Sequence, residues 1–213
     1  MQETLDTLGR LGLVPVVKIE RADDAVELGG ALLAGGLPCA EITFRTPAAE
    51  EAIRHISSSL PDILLGAGTV RSVDQADRAV SAGAKFIVSP GFNQKVVDWC
   101  LDKGVAVTPG VATPTEIDMA TEVGLNILKF FPAEAFGGIK TLKAISAPYG
   151  DVRFIPTGGI NLDNLRDYLA LPSVHCCGGS WLVKGDLITA GRFDEITRLA
   201  KEAVAVVSQM RGQ

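Results

Sequence analysis

Three side chains in this 213-residue chain have the type and the setting for chemistry on a ketone: Lys129, Glu41 and Arg45. Lys129 lies inside Ile127-Leu128-Lys129-Phe130-Phe131-Pro132, a short apolar run stopped by a proline. Strand side chains alternate between faces, so Ile127, Lys129 and Phe131 share one face and Leu128 and Phe130 the other. If both faces are covered, the lysine is a buried amine. Burial disfavours the charged form of an amine, and a neutral amine beside an aromatic ring can attack a ketone carbon and form an imine. On an edge strand the same lysine would point to water and do nothing of the kind. The ends of the other strands decide between the two.

Glu41-Ile42-Thr43-Phe44-Arg45 supplies the partners. Alternation sets Glu41, Thr43 and Arg45 opposite Ile42 and Phe44, and in a closed parallel barrel the former face looks inward. A lone buried ion pair is a weak structural device, so a carboxylate and a guanidinium there read as function. Glu41 is a candidate general acid and base, and Arg45 a planar two-point grip for a carboxylate or phosphate. In Gly66-Ala67-Gly68-Thr69 the glycines let backbone approach a ligand and Thr69 offers a hydroxyl, though a turn alone would explain the glycines equally well. Ser89-Pro90-Gly91 and Pro109-Gly110 read as turns first and site walls second. Gly158-Gly159, after Thr157, and Gly178-Gly179, before Ser180, read together as a phosphate seat, where exposed amides meet an anion.

Short apolar runs alternate with amphipathic ones and must carry these groups. Strands are expected at 14–19, 39–44, 63–69, 86–90, 106–111, 127–131, 153–157 and 174–179. Helices are expected between them: from Asp23 or Asp24 to Ala34, from Pro47 to Ser59, from a Ser72 cap to Gly83, from Asn93 to Lys103, from Thr113-Pro114, from Gly138 to Ala147, from an Asn161 cap to Ala170, and from Phe193 to Met210. Repeated strand-then-helix units about 20 to 25 residues apart argue for parallel strands with helical crossovers, and eight of them for a (β/α)₈ TIM barrel of class α/β. An open doubly wound sheet is the other arrangement that fits. No linker or low-complexity run divides residues 1–213, so one domain is expected, with residues 1–12 a small helix closing the barrel bottom.

Composition narrows the partners. Apolar residues make up 47% and charged residues 21%, enough for a sizeable core without staples. The net charge of −5 comes from mixed signs with no basic cluster, so no nucleic-acid partner is expected. No apolar run approaches the roughly 20 residues of a membrane span, and the first residues lack the features of a secretory signal, so a cytoplasmic setting is expected. Cys39, Cys100, Cys176 and Cys177 lack metal-site spacing and read as reduced, buried residues. Two histidines, His55 and His175, cannot build a histidine-rich site; neither metal nor cofactor is expected.

Glu-Ile-Thr-Phe-Arg-Thr, Gly-Ala-Gly-Thr-Val, Ser-Pro-Gly-Phe, Leu-Lys-Phe-Phe-Pro-Ala-Glu, Pro-Thr-Gly-Gly-Ile and Gly-Gly-Ser-Trp-Leu stand in the order and spacing of the 2-keto-3-deoxy-6-phosphogluconate aldolases, which the chain resembles over nearly its whole length. Several members of that family also cleave 4-hydroxy-2-oxoglutarate. The resemblance implies a class I aldolase acting on a small phosphorylated keto acid, usually as a homotrimer. It implies Lys129 as the imine-forming lysine and Glu41 as the proton-transfer residue. Arg45 and Thr69 match the positions that hold the pyruvate carboxylate, and Phe131 and Pro90 those that wall the pocket. Thr157 matches a position linked to stereochemistry, and Gly158, Gly159 and Ser180 the phosphate binders. Cys176-Cys177 and Val111-Ala112-Thr113 depart from the family's wording. Three other readings share these residues: an aldolase for the galactonate epimer, a phosphate-binding isomerase or epimerase using Glu41 as base, and a non-catalytic phosphosugar sensor.

Overall fold

The computed structural model describes residues 1–212. Its strands are β1 (Leu13–Val17), β2 (Cys39–Thr43), β3 (Leu64–Gly68), β4 (Phe86–Val88), β5 (Ala106–Thr108), β6 (Gly110–Val111), β7 (Ile127–Phe130), β8 (Arg153–Pro156) and β9 (Cys177–Gly179). Between and around them run α1 (Gln2–Leu11), α2 (Ala25–Ala34), α3 (Ala49–Ser59), α4 (Val73–Ala82), α5 (Gln94–Asp102), α6 (Pro114–Glu122), α7 (Gly138–Ser146), α8 (Leu162–Leu169), α9 (Gly185–Thr189) and α10 (Phe193–Arg211).

Four helix starts follow from side chains that satisfy free backbone amides, whereas Asp24, at the start of α2, makes no such cap and pairs with Arg21 instead. Ser72 accepts from Gln75 N, Asn93 from Lys95 N, and Asn161 from Asp163 N and Asn164 N. Thr113 and Glu116 cap α6 reciprocally, with Pro114 in its first turn, where a missing N–H costs nothing.

All strand pairs are parallel. One ladder runs β5-β4-β3-β2-β1-β9 and a second runs β6-β7-β8. Two joints close them into a ring. β5 and β6 are consecutive and are parted only by Pro109, which has no N–H to donate. β8 meets the β9 segment through the bridges Phe154–Val174 and Thr157–Gly178. With β5 and β6 counted as one barrel strand, the ring is a (β/α)₈ barrel. The fifth strand, expected unbroken over 106–111, is therefore split at its proline, and the eighth forms its ladder only over Cys177–Gly179.

The barrel's lower interior is filled by Val14, Phe86, Val88, Ala106, Ile127, Ile155 and Cys176, with Leu8 of α1 inserted from the amino-terminal end. Leu8 is 1% exposed, so α1 is the expected bottom plug. The larger core lies between the outer faces of the strands and the helices. Among the described residues no helix is long and apolar enough to cross a membrane.

Candidate active site

Lys129 and Glu41 face each other inside the barrel. They are 6% and 3% exposed, and Nζ of Lys129 stands 3.6 Å from Oε1 of Glu41. Alternation along β7 places Lys129 in the register Gly110–Lys129–Ile155, one layer above Ile127. The next inward position beyond the strand is Phe131, whose ring centroid lies 5.2 Å from the amine, within cation–π range. Glu41 Oε1 is buried and makes no hydrogen bond, since 3.6 Å is too long for one. A buried carboxylate oxygen with no hydrogen bond is costly, and its one charged neighbour within 4 Å is the Lys129 amine.

Glycines make the room. A Cβ at Gly68 would lie 2.0 Å from Oε1 of Glu41, one at Gly66 would lie 2.2 Å from the Phe86 ring, and one at Gly178 would lie 2.4 Å from Oγ1 of Thr157. Gly66 and Gly68 of β3 thus clear space for neighbouring side chains of the barrel interior. Glu41, Lys129 and Thr157 line a small, partly open cavity of about 10 Å³ with Leu8, Val14, Phe86, Val88, Thr108 and Ile155, about the volume of a single water. Lys129 and Glu41 thus stand over a barrel interior plugged from below by Leu8, and in such barrels the active site opens at the carboxyl ends of the strands.

At that end lies an open hollow of about 340 Å³, lined by Val16, Lys18, Arg45, Ser180, Val183, Lys184, Gly185 and Asp186. Val14 lines the inner cavity and Val16, two residues along the same face of β1, lines the outer one. Arg45 corrects one expectation. It is exposed at this mouth and not inside, because β2 ends at Thr43 and Phe44-Arg45 turn away from the alternation. The opposite charge within 4 Å of Nζ of Lys129 is Glu41. The guanidinium is aimed by Thr43, whose Oγ1 donates to Val17 O and accepts from Arg45 Nε at 3.0 Å.

The remaining expected residues ring the mouth. Thr69 has φ 57°, a left-handed conformation that costs a β-branched residue on the order of 1–3 kcal/mol. Pro90 lines a separate hollow with Val70, Arg71 and Ser89, and its carbonyl abuts Gly110, where a Cβ would lie 2.2 Å away. Gly158 and Gly159 have φ 99° and 84°, and neither amide donates to another described residue. Their carbonyls are tied down instead: Glu134 N donates to Gly158 O at 3.0 Å and Asn164 Nδ2 to Gly159 O at 3.0 Å. Glu134 is itself held by the buried Tyr168, whose hydroxyl donates to its Oε1. Burial, reinforced by that carboxylate, pushes the Tyr168 phenol well above its usual range. Ser180 follows β9 and is exposed at the mouth.

The structure thus brings Lys129, Glu41, Phe131, Thr157 and Gly158 together, and gathers Arg45 with Ser180 above them; Thr69 and Pro90 stand on the adjoining rim. Lys184, Lys18 and the Thr43 hydroxyl were not singled out from the sequence. Their only signal is position, just past or at the ends of β1, β2 and β9. The thiols play no part. All four are buried, and burial pushes Cys100 and Cys176 up to about 12, so both stay protonated. His175 is a tie between elements, its Nε2 donating to Leu5 O at 2.7 Å, and burial lowers its pKa. Among the described residues no cluster of metal-ligating side chains occurs.

Comparison with known proteins points to one family. A family model for KDPG and KHG aldolase matches residues 5–199. A 2-dehydro-3-deoxy-phosphogluconate aldolase of Treponema pallidum is 50% identical over 205 residues, covering 96% of this chain and 98% of that protein. The 2-keto-3-deoxy-6-phosphogluconate aldolase of Zymomonas mobilis, solved with 3-phosphoglycerate, superposes with a TM-score of 0.88 at 42% identity, over 94% of this chain and 95% of that one. The KDPG aldolase of Legionella pneumophila, solved with pyruvate captured as a covalent carbinolamine, superposes with a TM-score of 0.89 at 40% identity, over 92% and 96%.

Proposed function

The chain belongs to the KDPG and KHG aldolase family, and from that premise we propose that it cleaves 2-keto-3-deoxy-6-phosphogluconate into pyruvate and glyceraldehyde 3-phosphate through an imine on Lys129. The observation that carries the roles is the buried pair itself: Nζ of Lys129 and Oε1 of Glu41, which has no hydrogen-bond partner, 3.6 Å apart over the barrel interior.

Lys129 attacks the C2 ketone, and loss of water leaves an iminium that can accept an electron pair. Glu41 takes the proton of the C4 hydroxyl as the C3–C4 bond breaks. The bond's electrons pass to the iminium, giving an enamine, and the aldehyde departs. Glu41 returns its proton to C3, and hydrolysis frees pyruvate and the amine. Phe131 and the apolar floor keep stray water from the amine. Arg45 and Thr69 hold the carboxylate end, Pro90 and Phe131 wall the pocket, and Thr157 contacts the substrate where the C4 configuration is distinguished. The free amides of Gly158 and Gly159 and the hydroxyl of Ser180 receive the phosphate. The same reading has residues 1–213 acting as one catalytic unit. Support for this comes from the pairing of β9 with β1 and the packing of α10 on α2, which join the two ends of the chain in one barrel. The family resemblance supports a homotrimer in the cytoplasm.

Pyruvate release coupled to lactate dehydrogenase tests this reading on both C4 epimers and on 4-hydroxy-2-oxoglutarate. The gluconate form is expected to give the highest kcat/KM and the unphosphorylated acid a slower release. An isomerase or epimerase would consume substrate without producing pyruvate, and that result would overturn the reading.

A further inference from the structure

The phosphate seat described so far contains no positive charge. Gly158 and Gly159 offer neutral amides and Ser180 a hydroxyl, whereas the group they would receive is close to a dianion at neutral pH. A cation belongs beside it. The mouth hollow into which Ser180 opens has three cations on its wall, and two of them are already engaged. Lys18 pairs with Glu20 at 2.6 Å. Arg45, just past β2, donates to Thr43 and is the cation that the proposed function gives to the carboxylate. Lys184 remains. It is exposed, lines the same hollow as Ser180 four residues away, and has no carboxylate within 4 Å among the described residues. Asp186, the one carboxylate on that wall, is occupied at Oδ1 by Leu187 N.

The local fold gives Lys184 no other role. It is the residue immediately before α9, where side-chain oxygens that accept from amides are favoured and a cation has the wrong sign for the helix dipole. Its own side chain caps nothing.

We infer that Lys184 is the cation that recognises the phosphate end of the substrate, and that it sets the preference for phosphorylated over unphosphorylated keto acids. This rests on the aldolase reading for the identity of the substrate, but not for the anion site. Lysine is suited to such a position because it acts as a mobile point charge on a phosphate, leaving the fixed geometry to the Gly158-Gly159 amides and Ser180.

Two readouts test it. In steady-state assays Lys184→Gln is expected to raise KM for 2-keto-3-deoxy-6-phosphogluconate about tenfold, the size of a lost charged contact, with kcat little changed. The same variant is expected to leave kcat/KM for 2-keto-3-deoxygluconate, which lacks the phosphate, where it was, and Lys184→Arg to recover most of the loss. An unchanged KM for the phosphorylated acid, or an equal loss on both acids, would overturn the inference. The second readout needs no turnover: inorganic phosphate titrated against the fluorescence of Trp181, the neighbour of Ser180. Affinity about tenfold weaker in Lys184→Gln supports the site, and equal affinity overturns it. Absence of pyruvate from the wild-type protein would instead overturn the aldolase reading, with the phosphate titration still deciding the role of Lys184.

Discussion

Glu41 and Lys129 occupy positions where single atoms decide the outcome. A carboxylate oxygen without a hydrogen bond and an amine 3.6 Å away are held in place by packing, not by bonding to each other. What holds Glu41 is partly the missing side chain of Gly68. Gly68→Ala would set a methyl group 2.0 Å from Oε1, so the carboxylate must move. A displacement of about 1 Å at a reacting group costs on the order of 10²-fold in rate. The expected outcome is a folded protein, by circular dichroism, with kcat lowered about a hundredfold; unchanged kcat would show that Glu41 is not positioned this way. At this scale the sequence was legible where alternation holds. It identifies Lys129 with Phe131, and Glu41 inside. It misplaces Arg45, because the turn after Thr43 resets the alternation and no residue type announces where a strand stops. It leaves the β3 glycines open between a turn and a ligand, because the side chains they accommodate come from other strands.

At the level of elements, helix starts were readable because capping is local chemistry: Ser72, Asn93, Thr113 with Glu116, and Asn161 all cap as their types suggest. Pro109 was visible, but that it splits one barrel strand into β5 and β6 depends on which neighbour needs its missing N–H. The element with the largest effect beyond its size is α1. Leu8 reaches into the barrel and lies on the wall of the same small cavity as Lys129 and Glu41. Leu8→Ala removes buried carbon from a site that cannot easily collapse, and such changes cost about 2–5 kcal/mol. Urea denaturation is expected to show a loss of that size. A loss under about 0.5 kcal/mol, the usual range for a surface substitution, would mean that α1 does not plug the barrel.

The whole molecule brings together what lies far apart in the chain. Glu41 follows the first crossover, Lys129 stands on β7, and Gly178, which makes room for Thr157, is on β9. Their convergence depends on ring closure at the two joints, β5 to β6 and β8 to β9. The repeat of strand and helix predicts the ring. It does not predict the layering within it: an apolar floor, a layer of Lys129 and Glu41, and a charged mouth with Arg45, Ser180 and Lys184. That layering supports the proposal that one lysine among several is the nucleophile. Lys18 and Lys184 are exposed to water at the mouth; Lys129 is enclosed beside the carboxylate of Glu41. Treating the protein with pyruvate and borohydride, followed by peptide mass spectrometry, asks this directly, because reduction fixes an imine wherever it forms. The expected result is one pyruvate-derived adduct per chain, on Lys129. An adduct on Lys18 or Lys184, or none at all, would contradict the account.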